Sequence, residues 1–185
     1  MTEDIPRPAP LPKLLDDGNR ALRAALDLPD KFCRSKHRQA IGEIALEHPH
    51  TVCFVTLLEE GTCVSQAFGL TNEPDYRKVA LRPPGNVFAG KKFVMWLLQG
   101  RLLEIDQPIS GALVLYFAGE DWRHVGVISA PGRVTSQWGT YPVYDHKTSE
   151  VPARYGDRVR FFKMLAPREA LTQFLNFAHD HGGSA

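Results

Sequence analysis

Between residues 111 and 139 the chain reads GALVLYFAGEDWRHVGVISAPGRVTSQWG, and that stretch leaves few folds open. An apolar run, Gly111–Phe117, gives way to a short polar loop. A second run, His124–Ser129, leads through the turn Ala130-Pro131-Gly132 into a third, Arg133–Trp138. Each run is rich in β-branched and aromatic residues, short, and bounded by Gly or Pro, the pattern of strands rather than helices. A tight Gly-containing turn joins the last two as a hairpin. Tyr155-Gly156-Asp157 turns into a further strand, Arg158–Met164. The second half of the chain is therefore expected to be an antiparallel sheet.

Upstream, the signals are mostly helical. Leu14, Leu15, Leu22, Ala25 and Leu26 form an amphipathic stripe over 13–26, and Ala40, Ile41, Ile44 and Ala45 form another over 31–47. Thr51–Leu58 reads as a buried strand with Cys53 in its core. A short helix begins at Cys63, and another spans 91–98. Residues 71–88, with Pro74, Pro83, Pro84 and Gly85, read as an irregular connection able to serve as a lid. Tyr141, Tyr144 and His146 fall in a loop, and Pro167 opens a C-terminal helix. Helices first and antiparallel strands second predict an α+β fold. The 185 residues suit one domain over 13–185, with its core at 51–163 and a disordered Pro-rich tail over 1–12.

Composition excludes several classes of function. The 22 basic and 21 acidic residues nearly cancel, so net charge does not call for nucleic acid. No stretch has the length or hydropathy of a signal peptide or a membrane span, which predicts a cytoplasmic protein unless a specialised route exports it as an effector. Three cysteines, Cys33, Cys53 and Cys63, are not a disulfide framework. No Cys/His cluster has zinc spacing, and the pairs His48/His50 and His179/His181 are expected to be solvated. No metal, cofactor or phosphate loop is expected.

What remains is thiol chemistry. Cys63 sits where the turn Glu59-Glu60-Gly61-Thr62 runs into a helix, and His124 opens a strand. A thiol attacks an amide carbonyl as the thiolate, and a helix N-terminus with a neighbouring imidazolium favours that form. His124 is then the general base and acid. It needs a partner to orient it, and Ser136, His146 and Gln137 all stand open for that place. The Cys63 backbone N–H would help hold an oxyanion, with Gln66 left unassigned. Trp122, Trp138, Tyr141 and Tyr144 surround the hairpin, and Trp138 is the first choice, with Gln137, for walling a substrate groove.

In order and spacing, residues 111–139, with a strand and a Cys-headed helix before them, resemble the papain-like NlpC-type cysteine peptidases and their CHAP relatives. VTSQWGTYPVYDH followed by VPARYGDRVRFF is similar to a poorly characterised branch in which an S-x-W/L-G element, a later His and a Tyr-Gly recur. The likeness covers roughly 51–163. It departs at Thr62, where Asp or Asn usually precedes the nucleophile, and at Ser136, where the third polar residue is often His. The resemblance implies a papain-like fold, with N-terminal helices on an antiparallel sheet, Cys63 at a helix start and His124 on a strand. It implies a cysteine-dependent hydrolase or acyl transferase for an amide bond in a peptide, including peptidoglycan stem peptides. A catalytically idle papain-like domain serving as a binding or regulatory module is the alternative.

Overall fold

The computed structural model describes residues 19–28, 34–58, 60–80, 87–139 and 142–182. Its helices are α1 (Arg20–Ala25), α2 (Arg34–Glu47), α3 (Cys63–Ala67), α4 (Pro74–Ala80), α5 (Lys91–Leu97) and α6 (Pro167–His181). Its strands are β1 (Cys53–Leu57), β2 (Glu104–Ile105), β3 (Leu113–Ala118), β4 (Asp121–Ala130), β5 (Arg133–Gln137), β6 (Pro142–Lys147) and β7 (Arg158–Phe162). The strands form one sheet in the order β1-β6-β5-β4-β3-β7-β2, and every pairing is antiparallel. The fold is α+β.

Alternation along the strands sends apolar side chains to two faces, and each face has its own core. Leu113, Leu115, Phe117, Trp122 and Val125 pack with Val64, Phe93, Leu97, Phe174 and Phe177 from α3, α5 and α6. On the opposite face, Val114, Tyr116, Ile128, Val134, Trp138 and Tyr144 pack with Leu22, Leu26 and Ile41 from α1 and α2. Burying both faces explains why β3 reads as a continuous apolar run.

One irregularity in β4 matters for the site. His124 pairs with Tyr116, but Trp122 pairs with Phe117, so Arg123 is an extra residue in the ladder. Without this bulge His124 and Trp122, two apart, would share a face. With it, Trp122 joins the α3/α5/α6 side and His124 turns toward the α1/α2 side.

Several sequence-based expectations are corrected. The 71–88 connection contains α4: Pro74 supplies a preset φ at the helix start, Asp75 sits in the first turn, and Arg77 and Lys78 in the last. The lid expectation for 71–88 falls partly on 81–86, which lie outside the described residues. The loop holding Tyr144 and His146 is instead strand β6, masked in the sequence by the polar residues Asp145, His146 and Lys147. β1 is an edge strand paired only with β6, so Cys53 is exposed rather than core. His50 is not simply solvated: its Nδ1 accepts from Val52 N–H at 3.1 Å and its Nε2 lies 3.1 Å from the Ile41 carbonyl. The tail 1–12, the N-terminal part of the first helical stripe, Cys33 and Tyr141 lie outside the described residues. Among the described residues, no helix is long and apolar enough to cross a membrane.

The segment between β6 and β7 is tied down by one buried cation. Arg23, 2% exposed, donates from Nε to the Val151 carbonyl at 2.8 Å and from a terminal nitrogen to the Gly156 carbonyl. A 3₁₀ turn at Ala153–Tyr155 ends at Gly156, whose φ is +94°. A Cβ at 156 would lie 2.1 Å from the Phe117 carbonyl oxygen. Gly156→Ala therefore combines left-handed strain with a backbone clash, and unfolding measurements should show a loss of more than about 3 kcal/mol. Gly111→Ala, also at positive φ but with open space around it, should lose only about 1 kcal/mol. Equal losses would contradict the close approach.

Candidate functional site

Cys63 is the first residue of α3, and Thr62 is its cap. Thr62 Oγ1 accepts from Ser65 N–H at 3.1 Å, and Ser65 Oγ accepts from Thr62 N–H at 2.8 Å. This reciprocal box satisfies two of the donors a helix start leaves open. Thr62 Oγ1 also donates to the Ala89 carbonyl at 2.7 Å, fastening the cap to the loop before α5. Thr thus does the capping where the resemblance would place Asp or Asn.

The Cys63 sulfur is approached by the backbone N–H groups of Cys63, Val64 and Val125. Those dipoles favour a thiolate, but burial outweighs them and pushes the thiol up to about 11. The expected depression of this thiol is therefore reversed. A five-residue helix carries a weak dipole, and among the described residues the sulfur's hydrogen-bond partners are backbone groups only.

His124 is fully buried, and neither ring nitrogen has a hydrogen-bond partner among the described residues. Its ring lies flat on Tyr155, with centroids 3.8 Å apart and planes 7° apart. Tyr116 flanks it at 5.7 Å. Burial, reinforced by His146 and Arg154, holds His124 well below its ordinary value, so the ring is neutral. Val125, next to His124 in the chain, sends its amide to the Cys63 sulfur, but Cys63 packs with the α3/α5/α6 core while His124 turns to the α1/α2 side, and the two are not hydrogen-bonded to each other.

The candidates for the orienting place bond elsewhere. Trp138 Nε1–H donates to Ser136 Oγ at 3.0 Å. Ser136 Oγ lies 2.9 Å from His146 Nε2, and His146 Nδ1 lies 2.8 Å from the Lys147 carbonyl. A carbonyl only accepts, so Nδ1 carries the proton and Nε2 accepts from the Ser136 hydroxyl. This chain uses both nitrogens of His146, leaving none for His124. Ser136 shares a sheet face with His124, whereas Gln137 turns to the other and donates to the Gly61 carbonyl at 3.4 Å, beside the Cys63 helix.

The groove-wall expectation for Trp138 is corrected as well. Trp138 and Tyr144 are completely buried, and Trp122, nearly so, lies across the sheet. Trp138 is a core residue whose one donor is occupied by Ser136, and it is no more exposed than His124. Tyr155 was missed by sequence reasoning, which sees only a residue preceding a Gly-Asp turn. The Tyr-Gly pair before β7 was the one available signal. Among the described residues, no cluster of His, Cys, Asp and Glu could hold a metal.

Burial pushes His146 down to about 4. In the unfolded chain the same ring binds its proton near 6.5, so the unfolded state gains protons first as pH falls. Stability should be full above pH 6.5, decline toward about pH 4 and then level off with respect to this group. Urea unfolding at pH 7 and pH 4.5 should differ by on the order of 3 kcal/mol, with His124 acting in the same direction. A flat profile over that interval would contradict the buried neutral ring.

No protein-family model, curated protein or solved structure matches this chain.

Proposed function

We propose that this protein is a papain-like cysteine hydrolase or acyl transferase acting on an amide bond in a peptide, with Cys63 as nucleophile and His124 as general base and acid. The observation that carries this is the buried imidazole of His124, with neither nitrogen bonded among the described residues, on the strand whose next residue, Val125, sends its amide to a thiol at a helix start. Leaving a buried polar group unpaired costs about 1–3 kcal/mol, and proton transfer in a reaction is a use that accounts for it.

In this mechanism the resting pair is neutral. Attack forms the S–C bond as the Cys63 proton passes to His124. The C–N bond then breaks, and His124 returns that proton to the leaving amine. Water, deprotonated by His124, attacks the thioester; the S–C bond breaks, the acid leaves, and His124 returns the proton to the Cys63 sulfur, while an amine acceptor in place of water gives acyl transfer. Backbone N–H groups at the start of α3 are the donors for the oxyanion. Because the thiol is not pre-ionised, the base must act in the transition state. A reducing compartment such as the cytoplasm keeps such a thiol reduced. A peptide substrate also agrees with the near-zero net charge, which favours no polyanionic partner.

One observation favours the second reading, a catalytically idle module that binds or regulates: desolvation raises the thiol and lowers the imidazole. The two are separated by p-nitrophenyl acetate, a generic acyl donor, with acetylated Cys63 followed by peptide mass spectrometry. Acetylation at pH 7.5 should be about 10²-fold or more faster in the wild type than in His124→Ala. Equal rates would overturn the enzyme in favour of the module.

A further inference from the structure

The triad logic asks for a hydrogen-bonding residue on the far side of His124, and the described residues supply none. What they supply is a ring face. Tyr155 stacks on the imidazole at 3.8 Å and 7°, closer and more nearly parallel than any other aromatic pair described. Its own position is over-determined. The phenol oxygen accepts from Gly139 N–H at 3.1 Å. Arg154 lies over its ring at 5.3 Å and is ion-paired with Asp27 beyond α1 at 3.2 Å. Arg23 holds the carbonyls of Val151 and Gly156 on either side. The 3₁₀ turn and Gly156 bring this segment down onto β3, beside the strand that bears His124.

We infer that Tyr155 is the positioning residue of the site, fixing the plane of the His124 ring by stacking in the role that a hydrogen-bonded Asp, Asn or His plays in other triads. This rests on Cys63 and His124 acting as proposed above. A stack sets the plane of the imidazole and shields it from water, yet occupies neither nitrogen, so the ring can still take up and release a proton. It also explains why Ser136 and His146 can be committed to each other without disabling His124. The ring, not the hydroxyl, is the part that matters for His124. Positions that keep an aromatic face should therefore keep the function.

The test uses the full chain, p-nitrophenyl acetate as acyl donor and two variants, Tyr155→Phe and Tyr155→Leu. Tyr155→Phe should acetylate Cys63 within threefold of the wild type. Tyr155→Leu should be slowed at least tenfold, with the acid limb of its pH profile moved upward toward 6.5 as the imidazole gains water. In parallel, proton NMR should show the His124 ring protons shifted upfield by the Tyr155 ring current in the wild type and in Tyr155→Phe, and not in Tyr155→Leu. A Leu variant matching the wild type in both rate and pH profile would overturn the inference, as would a Phe variant slowed as much as Leu. If Leu does not fold, the Phe rate and the wild-type ring-current shift still decide: a tenfold slower Phe variant, or unshifted His124 protons, overturns it. Should Cys63 acetylation prove independent of His124, the catalytic reading fails. The ring-current comparison then still reports whether Tyr155 sets the ring plane.

Discussion

The arrangement depends on keeping one imidazole buried without a hydrogen bond. His124 has no exposed surface and, among the described residues, no hydrogen-bond partner at either nitrogen. Leaving it so costs about 1–3 kcal/mol, while an aromatic stack returns only about 0.5–1.5 kcal/mol. The remainder is carried by the surrounding fold. The bulge at Arg123 turns the ring to the α1/α2 side, Tyr155 covers it, and Arg23 and Gly156 hold Tyr155 in place. Arg23 is thus a residue of α1 that acts on the site from a distance, through the carbonyls on either side of the 3₁₀ turn.

Burial also decides the electrostatics. Backbone dipoles at a helix start are worth about 0.3–1 kcal/mol to a thiolate. Raising the thiol from 9.0 to about 11 corresponds to about 3 kcal/mol in the opposite direction. Desolvation wins, and it acts on His124 with the opposite sign for the same reason. At rest the thiol and the imidazole are both neutral. In the mechanism proposed above, the two groups would stay inert until a substrate carbonyl arrives.

The parts of the fold legible in the sequence were those in which local pattern and final environment agree. The apolar run of β3, the turn at Pro131-Gly132 and the helix opened by Pro167 needed no distant partner to be read. β6 was hidden because its buried histidine looks polar until Ser136 and the Lys147 carbonyl are in place. α4 was hidden because Pro74 reads as a breaker unless its place in the first turn is known. At the site, Cys63 does open α3 as expected, whereas His124, expected to open its strand, is the fourth residue of β4, which begins at Asp121. The bulge that aims His124 comes from a ladder offset at Arg123, and the stacking by Tyr155 comes from a contact thirty-one positions away in sequence. Neither leaves a periodic trace. The fate of Trp138, buried with its nitrogen on Ser136, was decided by a sheet face that the sequence alone does not number.

The most direct test of this account is the titration of His124 itself, followed by NMR of its ring nitrogens in uniformly labelled protein from pH 8 downward. The account predicts a ring that stays neutral well below 6.5, until the fold itself is lost. A reversible midpoint at or above 6.5 in the folded protein would show an imidazole reached by water or paired with a charge, and would contradict it.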